Sequence, residues 1–496
     1  MKNIFAAIDL GSNSFHMIVA RHEDGQMIIL DRLREMVRLA SGLDENNNIN
    51  DEVMSRALSC LSRFGERISH LHADVVRIVG TNTLRKAHNS KIFMRKAQEL
   101  LGHPIEIISG IEEARLIYSG VSHNVDMNDD KRLVVDIGGG STEIIIGERY
   151  NPITLESLYM GCVNTTVKFF KDGKISQKRI DKAYAMAMTE LEPIMQLYKQ
   201  IGWKYAIGAS GTIKSLRDIA NEEGWSNNAV TRKSLNKTLS RIAEADKIEN
   251  ISLQGLSPER VAVITGGTIV LSAIFEALDL KEMTVSDGAL REGMLYDLAG
   301  RVENHDVRSE SVNSFAERFV LDIAHGQRVA KTAQALCKQL QKTWLKGLPE
   351  AGQFLHWAAL LHEVGLSIAH NQHHKHGAYM ISHADMMGFS RQDQELLATL
   401  VLEQRRKLNI SALNELDSGE KKTAERATIL LRLSVLMNRS RVDEAIAIPD
   451  IEISKKQITL KFDQQWLLDH PLTYSDLRNE MEFLENAGYQ LNVESV

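Results

Sequence analysis

Along the first 300 positions, apolar residues fall into short runs that alternate with amphipathic segments. IFAAIDL (4–10) is an apolar run closing on an acid and leucine, GSNS follows as a turn, and FHMIVAR (15–21) reads as a returning strand. EVMSRALSCLSRFGERI (52–68) spaces its apolar residues three and four apart, as a half-buried helix does. VVRIVG (75–80) reads as a strand that ends at Thr81-Asn82-Thr83, a helix start. IEIISG (105–110) reads as another strand, leading into a helix at IEEARLIYSG (111–120).

The pattern then restarts. RLVVDIGGGSTEIIIGERY (132–150) repeats the logic of the N-terminal segment: apolar strand, Asp, Gly-rich turn, returning strand. Asp9 and Asp136 are 127 residues apart, a spacing that marks a duplicated domain rather than a solenoid period. The second copy continues through a helix near 176–200 and a strand at KYAIGASGT (204–212) to about residue 300. After DVRSES (306–311) helical patterns dominate to about residue 440, and IEISKKQITLKF (451–462) alternates as a small β-rich ending. The polar stretch at 300–312 reads as a domain junction. Four segments are expected: 1–122, 123–302, 303–440 and 441–496.

Composition narrows the classes. The chain has 496 residues, room for roughly three domains at about 150 residues each. Lys plus Arg is 59 and Asp plus Glu is 65, a formal net charge of −6, so any anion site must come from local placement of cations. Aromatics are 6 % and no stretch reads as an RNA-binding motif, so nucleic acid is not an expected partner. Cys60, Cys162 and Cys337 are far apart and odd in number, which excludes a disulfide framework and fits a reducing compartment. No signal peptide and no transmembrane segment is read, since no stretch reaches about 18 uncharged apolar residues. The expected location is the cytoplasm, with any membrane association peripheral, on the inner face.

Candidate chemistry starts from Asp9 and Asp136. Each ends a buried strand and meets a Gly-rich turn, where backbone N–H groups can approach phosphate oxygens. A strand-end carboxylate can hold hydrated Mg²⁺, which takes only one or two protein carboxylates. Plain β-hairpin turns would explain either segment alone. GGGSTE lacks a P-loop lysine and leads into a strand, so a Walker-type site is rejected. Ser109 and Glu112 match a capping box, which would fold Glu112 back on the cap and leave Glu113 free to orient a water. The same two acids could equally serve only to offset the helix macrodipole. Gly80-Thr81-Asn82-Thr83 before Arg85, and Gly208-Ala209-Ser210-Gly211-Thr212 before Lys214, read as helix N-termini with a cation nearby, ready anion sites. In the C-terminal half, His325, His362-Glu363 and His373-His374-Lys375-His376 stand out. A two-metal hydrolase of the HD type needs His-Asp where this chain has His-Glu, so a helical fold without a working metal centre is expected. His374, Lys375, His376, Arg405 and Arg406 could line an anion path, or a solvated face.

With these residues in hand, the chain resembles the exopolyphosphatase/guanosine pentaphosphate phosphohydrolase (Ppx/GppA) family. The matching segments are DLGSNSFHM, VGTNTLR, IISGIEEARLIYSGV, DIGGGSTE, YMGCV, GASGTIK, SDGALREG and ALLHEVGL. The resemblance implies an α/β fold: a duplicated, actin-like (ribonuclease H-like) two-lobe core, an all-α HD-like domain and a small α+β C-terminal domain. It implies Glu113 as general base and Asp136 with Glu143 as magnesium carboxylates. Asp9, Ser12, Asn13, Arg85, Gly138, Gly139, Ser141 and Glu143 would line the phosphate site, joined by Ser210 and Gly211. Mg²⁺, and in some members K⁺, would be the cofactors, and a homodimer the assembly.

The resemblance implies release of terminal orthophosphate. The wording of VGTNTLRKAHN, DIGGGSTE and SDGALREG lies nearer the exopolyphosphatase branch, so inorganic polyphosphate is the expected substrate and pppGpp the alternative. A non-catalytic polyphosphate or nucleotide sensor is the reading of a different class. An actin-like ATPase or kinase would need a purine pocket near GGTIVLSAIF (266–275).

Overall fold

The computed structural model describes residues 4–23, 25–125, 129–302, 306–346, 348, 350–413, 416, 421–441 and 446–496. The chain divides into two compact units with the break at 305/306. That falls inside the expected junction, of which residues 303–305 lie outside the described residues.

The N-terminal unit contains the duplication. Its first sheet joins β1 (Ile4–Leu10), β2 (Phe15–Glu23), β3 (Gln26–Glu35), β4 (Val76–Gly80) and β5 (Glu106–Ile107) in the order β3-β2-β1-β4-β5. Its second joins β6 (Arg132–Ile137), β7 (Thr142–Glu148), β8 (Asn151–Leu158), β9 (Tyr205–Ala209), β10 (Val230–Thr231) and β11 (Glu282–Val285) in the order β10-β11-β9-β6-β7-β8. In each, a three-stranded antiparallel meander is extended by parallel strands from its first member, β1 to β4 and β6 to β9. The register repeats too: Asp9 lies opposite His16, and Asp136 opposite Glu143. β4 and β6 are buried along their whole length, as parallel strands covered on both faces must be.

Helices follow the periodic segments. Asp51–Ile68 is capped by Asn50, whose side chain accepts from Val53 N, and buries Val53, Ala57, Leu61, Phe64 and Ile68. Gly110–Ser122 and Ser210–Glu222 each start directly after a strand end. Val261–Ala277 is apolar all round and buries residues 264 to 271. A Cβ on Gly266 would lie 2.5 Å from Cys162 O, and one on Gly267 2.4 Å from Thr212 Cγ2, so this helix packs directly on its neighbours. The segment where an ATPase or kinase reading would need a purine pocket is therefore core.

The C-terminal unit is mainly helical, with Ile323–Leu340, Ala351–Leu361, Arg391–Glu403 and Lys421–Met437 at its centre. A three-stranded sheet, β12 (Asp450–Ser454), β13 (Gln457–Phe462) and β14 (Gln490–Ser495), completes it with helix Pro471–Asn486. The sequence predicts a separate small domain from 441 onward. Instead Ile451, Ile458, Leu460 and Leu477 join Leu336, Leu340, Phe354 and Leu430 in one core. Arg432 ties the segments together, donating to Glu480 at 2.5 Å and to Glu403 O at 2.6 Å.

Candidate functional site

The two Gly-rich turns face one cavity of about 410 Å³ in the N-terminal unit, lined by Asp9, Ser12, Asn13, Glu113, Asp136, Gly138, Gly139, Ser141, Ser210 and Gly211 among others. A Cβ on Gly139 would lie 3.1 Å from Ser12 Cβ, so the turns nearly touch. Both are tight in the same way: a Cβ on Gly11 would meet Ser14 O at 2.9 Å, and one on Gly138 would meet Ser141 O at 3.2 Å. Gly138 N donates to Ser141 O at 2.9 Å, and Thr83 donates to Ser12 Oγ at 2.8 Å.

Three carboxylates, Asp9, Glu113 and Asp136, line this cavity, and a fourth, Glu143, lies fully buried close enough to repel their charge. Burial raises Asp9 to about 7, with Glu113 and Asp136 repelling its charge further, and burial plus Glu113 likewise raise Asp136 to about 7. Glu143 is pushed well above the usual range by burial, then by Glu113 and Asp136. Asp9 Oδ1 and Glu143 Oε2 are buried with no hydrogen-bond partner. An oxygen-only donor set with unsatisfied buried anions fits a hard divalent cation such as Mg²⁺.

Glu113 stands at the first turn of helix Gly110–Ser122, whose cap Ser109 accepts from Glu112 N at 3.1 Å. The sequence expects Glu112 to fold back on that cap. Its carboxylate instead takes Arg115 at 2.7 and 2.8 Å and Arg77 at 3.4 Å. Asp297 closes the network, accepting from Arg115 at 2.5 Å and from Arg77 at 2.6 Å. A fully buried carboxylate is stabilised far more by two guanidiniums than by one amide. Glu112 is structural, and Glu113 faces the cavity, as the sequence divides them.

Arg85 and Glu143 are expected at the phosphate, but neither lines the cavity. Arg85 donates to Glu113 Oε2 at 3.0 Å and to Ile108 O at 2.7 Å. Glu143 is fully buried behind Asp136 and accepts from Ser157 at 2.8 Å.

Sequence reasoning missed His16, Arg260 and Arg291, which do line the cavity. His16 and Arg291 sit inside quoted motifs, DLGSNSFHM and SDGALREG, while Arg260 lies in a stretch with no pattern. Arg291 approaches His16 Nδ1 at 2.9 Å, Ser14 Oγ lies 2.7 Å from Nε2, and burial then Arg291 push the imidazole far down, leaving it neutral. Arg260 packs against Gly211, where a Cβ would come within 1.8 Å of its Nη2. Ser210 opens its helix at φ +74°, a left-handed conformation costly for a non-glycine residue. Lys214, one turn on, pairs with Asp287 at 2.9 Å.

In the C-terminal unit, His370, His374, Lys375, Arg405, Arg406 and Lys407 line a second cavity of about 720 Å³; His376 does not. Four of the five expected anion-path residues are thus together, and Arg405 Nη1 lies 3.1 Å from His373 Nδ1.

The N-terminal unit is thus a duplicated α/β core whose two Gly-rich turns bound a cleft lined by carboxylates, and the C-terminal unit is mainly helical. The Ppx/GppA phosphatase family profile matches residues 18–302, and its domain III profile matches 307–481. The chain belongs to the Ppx/GppA phosphatase family. It is similar to a protein of Vibrio vulnificus named guanosine-5'-triphosphate,3'-diphosphate pyrophosphatase, 39 % identical over 99 % of this chain and 98 % of the relative. A Photobacterium profundum protein of the same name is 38 % identical over the same shares. Among solved structures, an exopolyphosphatase from Cytophaga hutchinsonii is 23 % identical, with a TM-score of 0.54 over 60 % of this chain and 98 % of its own; that likeness concerns the fold alone. Among the described residues no helix is long and apolar enough to cross a membrane.

Proposed function

We propose that the protein hydrolyses the terminal phosphoanhydride of pppGpp, releasing orthophosphate, so that the alternative substrate of the sequence reading becomes the leading one. The observation that carries the chemistry is the convergence of Asp9, Glu113 and Asp136 on one cavity bounded by two Gly-rich turns. Support for the substrate comes from the full-length relatives and their shared name.

Phosphoryl transfer asks the protein mainly to position reactants and stabilise charge. Backbone N–H groups of the turns at 11–14 and 138–141, with the N-terminus of helix Ser210–Glu222, suit the phosphate oxygens. Arg260, Arg291 and Lys214 supply positive charge around them. Glu113 orients a water for in-line attack and takes its proton; a pKa raised by burial suits a base working near neutrality. Asp136 and Asp9, backed by Glu143, would hold Mg²⁺, which would shield the phosphoryl oxygens when bound.

Inorganic polyphosphate is the second reading, favoured by the cationic cavity around Lys375, Arg405 and Arg406. A long polyanion needs more cations than one triphosphate end. The test is phosphate release with Mg²⁺ from pppGpp and from long polyphosphate, side by side at matched terminal-phosphate concentration. A higher kcat/KM on pppGpp supports the leading reading. A higher kcat/KM on polyphosphate, lost in Arg405→Ala/Arg406→Ala and at high salt, supports the second. Stoichiometric binding without release from either substrate leaves the sensor reading.

A further inference from the structure

His325, His362 and Glu363 each offer a ligand atom, and these atoms all lie within 4.8 Å of one another. The cluster belongs to the C-terminal unit and has no part in the phosphoryl chemistry above. His325 stands in the first turn of helix Ile323–Leu340, and His362 and Glu363 follow the last turn of helix Ala351–Leu361. The two rings have centroids 5.3 Å apart, and the residues are only 3 % and 2 % exposed.

Two atoms in this cluster are unexplained as packing. His325 Nδ1 and His362 Nε2 are buried with no hydrogen-bond partner. The other nitrogen of His362, Nδ1, lies 2.7 Å from Ala359 O. A carbonyl only accepts, so Nδ1 carries the proton and Nε2 presents its bare lone pair to the cluster. A ligand imidazole is commonly held this way, its far N–H fixed on a backbone carbonyl. A buried, unpaired ring nitrogen costs stability unless something binds it.

We propose that His325, His362 and Glu363 form a binding site for a divalent transition-metal ion, distinct from the magnesium carboxylates of the phosphoryl cleft. Two imidazoles and one carboxylate select borderline ions such as Zn²⁺ or Co²⁺ over Mg²⁺, which prefers oxygen. Glutamate in place of aspartate leads the sequence reading to expect no metal centre, yet the longer side chain still reaches the two imidazoles. Arg441 donates to Glu363 Oε1 and, at 3.2 Å, to Asp322, the cap of the helix that carries His325. Arg441 and Arg328 face Glu363 and Asp322 around the site, two cations to two carboxylates, and a carboxylate can keep a guanidinium on one oxygen while the other binds an ion. Three protein ligands leave a position open for water.

The test uses the full chain, stripped with a chelator and dialysed against Co²⁺ or Zn²⁺ in millimolar Mg²⁺ to occupy oxygen-only sites. The expected result is one ion retained per chain, with Co²⁺ showing the visible ligand-field bands of nitrogen coordination. His325→Ala should weaken retention at least about tenfold, as should Glu363→Gln, a milder change at a partly exposed residue that keeps the test valid should the histidine variant fail to fold. Mg²⁺-dependent phosphate release should be unchanged in Glu363→Gln. Co²⁺ retention equal in wild type and Glu363→Gln, or absent from wild type, overturns the proposal.

Discussion

The Arg85 guanidinium holds Glu113 at 3.0 Å while anchoring itself to Ile108 O, so the proposed base is oriented from behind by a cation that never enters the cavity. Burial raises the Glu113 pKa, and Arg85 is the charge that opposes the rise. Removing Arg85 therefore leaves the pKa higher still. In Arg85→Met the acidic limb of the pH profile for kcat/KM should move to higher pH, and kcat at pH 7 should fall. An unmoved limb would separate Arg85 from the base.

Glu112 and Glu113 are adjacent and do different work. Glu112→Gln breaks a buried ion-pair network and should cost about 3–5 kcal/mol in denaturant unfolding, more than Glu113→Gln does. Asp297, in the same network, is held far below its usual range despite burial, by Arg115 first and then Arg301 and Arg77. A depressed carboxyl stabilises the fold above its unfolded pKa of about 4 and loses that contribution as pH falls through the native value. Asp297→Asn should therefore flatten the acid-unfolding curve below pH 4. An unchanged acid limb in this variant would contradict the assignment.

The carboxylate-lined cleft of the N-terminal unit has the opposite sign. Asp9 and Asp136 carry native pKa values near 7, above their unfolded ones. The native state then binds more protons between about pH 4 and 7, and metal-free stability falls as pH rises through that window. A divalent cation relieves the repulsion only where the carboxylates are ionised. The Mg²⁺-induced rise in Tm should be larger at pH 8 than at pH 5, and Asp136→Asn should shrink it. An equal rise at both pH values would argue against these carboxylates as the ligands.

The turn geometry gives a steric prediction. A Cβ on Gly161 would come within 2.5 Å of Gly139 O and 2.7 Å of Gly140 N, both backbone atoms. Gly161→Ala must push the 138–141 turn out of position. Overpacking of this kind costs about 1–3 kcal/mol, and here it falls on the turn proposed to hold phosphate. KM should rise and kcat drop in steady-state assays while the far-ultraviolet circular dichroism stays native. Wild-type kinetics would show that the turn does not hold phosphate.

The duplication was legible because the same local chemistry recurs: an apolar strand, an Asp near its end and a Gly-rich turn are all short-range features. Glu113 was legible because Ser109 marks where its helix begins. Glu143 came only from resemblance, since its position opposite Asp136 is a matter of strand register. Arg77 and Asp297, 220 residues apart, meet through packing that no local pattern encodes. Arg260 reaches the cleft from a helix start without a motif of its own. Strands β12 and β13 are legible in the alternation of residues 451–462, but β14 is not, and alternation reports exposure on one face without saying which core the other face joins.

The central claim is that Glu113 readies the attacking water at a phosphoryl group held between the two acidic strand ends. Single-turnover release of orthophosphate from pppGpp, with saturating enzyme and Mg²⁺, tests it most directly. Wild type should convert pppGpp to ppGpp and phosphate. Glu113→Gln should bind the nucleotide within a few-fold of wild type and release phosphate roughly 10²–10⁴ times more slowly. Release by Glu113→Gln at the wild-type rate would contradict the account.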